Sequence, residues 1–75
     1  MTLNQLNKKT HCRVKRVNAK GMLGQRLADM GFCPGEEILF MRKAPLGDPV
    51  HVQMGTYHVA LRMAEAKQIE VGEIK

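Results

Sequence analysis

The rhythm of apolar and polar residues changes several times along this chain, and each change predicts an element. Leu3 and Leu6, at helical spacing, predict one turn that closes an end of the domain. Residues 7–10 (Asn-Lys-Lys-Thr) read as loop. From Cys12 the pattern alternates, Cys12 and Val14 on one side, Arg13 and Lys15 on the other, as in a half-buried strand. Val17 falls out of phase, which predicts a bulge near Arg16 or the end of regular pairing. Leu23, Leu27 and Met30 then recur at i, i+4 and i+7, an amphipathic helix over residues 22–30. Gly31 stands where a left-handed terminating residue belongs, Phe32 can fold back on the last turn, and Pro34-Gly35 bars extension.

Residues 36–44 are rich in β-formers with an unbroken apolar centre, which predicts a strand buried on both faces. Pro45-Leu46-Gly47-Asp48-Pro49 reads as a loop, with Pro49 giving up an amide at the entrance to the next strand. Val50, Val52 and Met54 alternate with His51 and Gln53 up to Gly55-Thr56, and Tyr57, His58 and Val59 follow. A two-residue turn with glycine first is type II′. It pairs Met54 with Tyr57, Gln53 with His58, Val52 with Val59 and His51 with Ala60, so the apolar pairs share one face. Residues 60–68 are mostly helix formers and predict a short helix or helical turn. Ile69 and Val71 open a final strand. The order fits a mainly β fold: a small five-stranded SH3-like barrel with one short helix after strand 1 and a helical turn before the last strand.

Length permits a single domain over residues 1–75 with a thin core. At 44% hydrophobic residues the chain is apolar enough to fold, and its longest apolar run, Ile38-Leu39-Phe40-Met41, is far too short to span a bilayer. The first residues lack the charged head and apolar stretch of a secretory signal, so a cytoplasmic protein is expected. Cys12 and Cys33 form no C-x-x-C pair and read as two reduced thiols.

Charge is unevenly spread. Seven bases and no acid precede Asp29; from there on, five bases meet seven acids. The basic stretch suits nucleic acid, anionic lipid or an acidic protein surface, or serves solubility alone.

Three stretches together resemble one family. Gly24-Gln25-Arg26-Leu27-Ala28-Asp29-Met30-Gly31-Phe32-Cys33-Pro34-Gly35 resembles its "R-L-x-x-M-G-h-x-P-G" segment, where h is apolar. Ala44-Pro45-Leu46-Gly47-Asp48-Pro49 is similar to its "A-P-L-G-D/G-P" loop. Ala60-Leu61-Arg62, Ala64-Glu65-Ala66 and Ile69-Glu70-Val71 resemble its ending, "A-L-R-x-x-E-A-x-x-I-x-V". The family is FeoA, accessory proteins of bacterial ferrous iron uptake, and the resemblance runs over roughly residues 12–72. It implies an SH3-like fold, a cytoplasmic location and FeoB, a membrane transporter with a cytoplasmic G-domain, as partner.

The residues themselves argue for binding over catalysis. No nucleophile–base arrangement or phosphate-binding glycine loop is legible, so neither catalytic residues nor a cofactor are expected; Gly21-Met22-Leu23-Gly24 lacks the Walker lysine and spacing. Arg26 lies off the helix's apolar stripe, where it can meet a partner or, as an arginine finger, a G-domain. His51 and His58 are the candidate metal ligands, diagonal neighbours on the hairpin's outer face, but two imidazoles fall short of a site and no metal site is expected. His11 and Cys12, adjacent on a strand, point to opposite faces. The six methionines read as core filler, and without tryptophan a proline-peptide groove is not expected. The expected partner surface joins the loop residues Pro45, Leu46, Gly47 and Asp48 to the outer side of the helix at Arg26. Its alternatives are a small basic barrel that binds nucleic acid, for which stacking aromatics are missing, and a metal-responsive module.

Overall fold

A computed structural model describes residues 1–74. A 3-10 turn, Leu3–Gln5, leads into β1 (Thr10–Val17), α1 (Gly21–Asp29), β2 (Glu37–Lys43), β3 (Val50–Met54), β4 (Tyr57–Leu61), α2 (Met63–Ala66) and β5 (Ile69–Glu73). All strand pairs are antiparallel in the order β4-β3-β2-β1-β5. β4 and β5 are joined through α2 rather than by a ladder, and the N-terminal turn packs against α2 and β5. The predicted five-stranded small-barrel architecture is thus present, open on one side.

The core fills the inner face of this curved sheet. Cys12 and Val14 of β1, Ile38 and Phe40 of β2, Val50, Val52 and Met54 of β3, and Ile69 and Val71 of β5 supply its walls. Leu27 and Phe32 cover one end, and Leu3 is fully buried as the predicted closing turn requires.

Where the signal is local, prediction and structure agree. The hairpin register is the one the turn chemistry demanded, with Met54 opposite Tyr57 and His51 opposite Ala60. Gly55 has φ 58° and Thr56 is not in the left-handed region, as a type II′ turn requires. α1 ends as predicted: Gly31 at φ 106° donates its N–H to Ala28 O at 3.0 Å, and the Phe32 N–H reaches Leu27 O at 3.0 Å. This bond pair is a Schellman motif.

One face and one boundary differ. β2 buries one face, with Ile38 and Phe40 inside and Leu39 and Met41 only half-buried. Phe40 pairs with Val52 and Arg42 with His51, so Met41 is an extra residue. A β-bulge therefore accounts for the unbroken apolar run that suggested burial on both faces. A second bulge sits at Lys15, between Val14 opposite Val71 and Arg16 opposite Glu70, beside Arg16 as predicted. Finally, Ala60 and Leu61 belong to β4, and α2 is only Met63–Ala66. Their cross-strand partners His51 and Val50 overrode the helix propensity of the segment.

Gly24 falls inside the predicted helix with no role that its sequence pattern announced. It lies inside α1, where a Cβ would stand 2.6 Å from the carbonyl oxygen of Ala19. The chain entering the helix passes too close for any side chain.

Candidate docking surface

The loop before β3 is built to hold its tip away from the core. Gly47 donates its N–H to Ala44 O at 2.7 Å, closing a turn with Pro45 at its first corner. Gly47 itself has φ 86°, and the Ala44 N–H donates to Pro49 O at 2.9 Å. Asp48 ties the loop to the next layer: its Oδ1 accepts the Met63 N–H at 3.0 Å, at the start of α2. Its Oδ2 lies 3.9 Å from Arg62 Nη1. Leu46 is left at the tip, 96% exposed. It does not lid the barrel.

α2 continues the connection toward α1. Glu65 Oε1 accepts the Arg62 N–H at 2.9 Å, which satisfies a donor at the start of this short helix. Glu65 Oε2 pairs with Arg26 Nη1 of α1 at 2.9 Å. Glu65 is 7% exposed, the one buried charged residue among those described, whereas the Arg26 side chain is 63% exposed. One turn before Arg26 on α1 stands Met22, 90% exposed. A chain of bonded contacts therefore runs from the Leu46 loop through Asp48, α2 and Glu65 to Arg26. Two fully exposed apolar side chains belong to the elements at its two ends.

The predicted partner residues thus divide in two. Leu46 is free for contact, while Asp48 and Arg26 already have structural work, which sequence reading missed. Glu65 was given no role either; its signals were its place in the motif of the chain's ending and its position three residues after Arg62, where an acid can accept the N–H preceding α2. The ladder confirms His51 and His58 as diagonal neighbours, His51 half-buried and His58 exposed. His11 faces out and Cys12 in, as predicted. Among the described residues no three His, Cys, Asp or Glu side chains converge as a metal-ligand set.

Folding also disperses the basic stretch. Arg13 meets Glu37 at 3.1 Å and Arg16 meets Glu70 at 2.7 Å, while Arg26 meets Glu65. The hydrogen bond from Arg16 holds the Glu70 carboxyl below its ordinary value. Three of the seven early bases are therefore partly neutralised by acids from later in the chain.

The two thiols differ sharply. Cys12 is fully buried, and desolvation pushes its thiol up to about 11, while Cys33 is exposed. Iodoacetamide at neutral pH will modify one thiol per native chain, Cys33, and two after unfolding in urea; rapid modification of two in the native chain would refute the buried placement. Burial favours the protonated form of Cys12, so its contribution to stability is complete below the ordinary value of 9.0. It declines as pH rises from there through about 11.

The fold defines a small SH3-like β domain, and its Leu46 loop, bonded to α2 and through Glu65 to α1, carries an exposed apolar tip. A family model for the FeoA domain matches residues 1–73, and the chain belongs to the FeoA family, associated with ferrous iron transport. A Porphyromonas gingivalis protein named as a fusion of Fe(2+) transport protein A with the Fe(2+) transporter FeoB is 37% identical over 71 residues. The match takes in 95% of this chain but only 8% of the fusion. Iron(II) transport protein A from Clostridium thermocellum superposes with a TM-score of 0.92 at 42% identity, over 99% of this chain and 46% of that one. FeoA of Stenotrophomonas maltophilia, described as a prokaryotic SH3 domain protein and solved with zinc, gives 0.82 at 38% identity, over 96% and 89%. The chain thus spans under half of the first two relatives. No helix among the described residues is long and apolar enough to cross a membrane.

Proposed function

We propose that this domain is a cytoplasmic accessory of ferrous iron uptake that docks on the G-domain side of a FeoB transporter and biases its conformational states. The observation that carries this reading is Leu46: an apolar side chain without a core role, held out on a loop that Gly47 and Asp48 lock in place. A preorganised loop loses little entropy on binding, so an exposed leucine there can contribute its full burial to a complex. The P. gingivalis fusion supports FeoB as the partner, because it joins the two proteins in one chain. Regulation then follows from binding one transporter state better than another.

The test is titration of the chain into detergent-solubilised FeoB from the same organism, at low and physiological salt. Saturable binding should survive physiological salt, and Leu46→Glu should weaken it about tenfold, equivalent to about 1.4 kcal/mol. Met22→Glu should act in the same direction if α1 shares the interface. Undiminished affinity in a folded Leu46→Glu variant would refute the surface. Binding that disappears at physiological salt would instead point to diffuse charge.

A further inference from the structure

A second feature lies on another stripe of α1, and the Leu46 loop contributes nothing to it. Gly21, Gly24, Gln25 and Ala28 recur at i, i+3, i+4 and i+7 and face the end of β1. With Val17, Phe32 and Pro34 they border an open groove of about 400 Å³. The close approach of Ala19 to Gly24 brings one wall against the helix. The floor and walls are largely apolar. Two charged residues line the groove, Arg16 and Lys20, and both are basic. Glu70 engages Arg16 through Nε alone, and Lys20 forms no salt bridge among the described residues.

We propose that this groove docks an extended acidic segment of a protein partner, an apolar side chain seated against Val17, Ala28 and Phe32 and a neighbouring carboxylate held by Lys20. Charge complementarity selects this occupant. The lining holds no acid and two bases, Lys20, which forms no salt bridge among the described residues, and Arg16, shared with Glu70. The groove's charge therefore disfavours a basic segment, and a wholly polar one leaves the apolar walls unfilled. A free phosphate uses the cations but not the walls. An extended chain rises about 3.3–3.6 Å per residue. Alternating acidic and apolar residues in such a chain therefore present an apolar group and a carboxylate one or two residues apart.

The groove carries its own reporter. Cys33 lines it and is exposed, whereas Cys12 is buried. The full chain is treated with iodoacetamide in the presence of the capped hexapeptide Ac-Asp-Leu-Asp-Leu-Asp-Leu-NH2, with amide NMR spectra recorded in parallel. The peptide should slow Cys33 modification and shift the amides of Gly21, Gly24 and Phe32. Lys20→Glu should raise the peptide concentration needed by about tenfold. Ala28→Trp, at an exposed position, should fill the groove and abolish the effect while circular dichroism and melting stay as in the parent. The proposal is overturned if the peptide gives no protection, or if Asn-Leu repeats protect as well as Asp-Leu repeats. Equal protection by inorganic phosphate or phosphatidylglycerol vesicles overturns it too, as does protection that persists in folded Ala28→Trp.

Discussion

Phe40→Ala will cost about 3–5 kcal/mol of folding stability, the usual range for emptying a buried aromatic site. Phe40 is fully buried at the centre of β2, opposite Thr10 of β1 and Val52 of β3. A domain of this size is expected to have only about 4–11 kcal/mol in total. The variant should therefore melt about 15–30 °C lower, near the edge of folding at room temperature. Urea unfolding followed by circular dichroism measures the loss. The control is its neighbour: Met41, the bulged residue, is only half-buried, so Met41→Ala should cost about 1 kcal/mol or less. Equal losses at the two positions would mean that β2 is buried on both faces and that the bulge assignment is wrong.

The second large effect is expected at Glu65. Breaking a fully buried ion pair costs about 3–5 kcal/mol, because the surviving charge is stranded without water. Here the survivor, Arg26, is 63% exposed and can be rehydrated, so the pair itself is worth much less. What Glu65→Ala adds is loss of the acceptor for the Arg62 N–H and a void under α2. The sum is about 1–3 kcal/mol. Glu65→Gln, which can still accept from Arg62, should cost about half as much. A double-mutant cycle with Arg26→Ala isolates the ion pair, expected at about 0.5–1 kcal/mol. A Glu65→Ala variant within 0.5 kcal/mol of the parent would show that α2 does not depend on this carboxylate. Because Asp48 anchors the Leu46 loop to the same helix, Glu65→Ala should also weaken the proposed docking on FeoB without changing Leu46 itself.

These two residues differ in how visible they were beforehand. Phe40 announced itself as a core residue by type and by its place in a β-rich run. Glu65 stood in the motif of the chain's ending without an assigned role, and Arg26 was read as a contact for a partner rather than for this chain's own Glu65. They sit far apart in the chain, and neither carries a local pattern that names the other as its partner. The loop residues Leu46 and Asp48 shared a motif and were grouped together. Only the fold separated them, leaving one fully exposed and making the other an anchor.

By itself the sequence determined the elements whose instructions are local: the Gly31 stop of α1, the Gly55-Thr56 turn and hence the β3–β4 register, and the alternation of β1. Each rests on φ angles and side-chain direction over a few residues, which no distant contact needs to supply. Tertiary structure alone decided the Met41 bulge, the short extent of α2, the close approach at Gly24 and the pairing of early bases with late acids. Those outcomes depend on which strand lies beside which, and on what a backbone meets when the chain returns. The candidate docking face belongs to this second group, since the Leu46 loop, α2 and α1 come from separate parts of the chain; the groove lies within residues 16–34, yet only the packing of α1 against the end of β1 forms it.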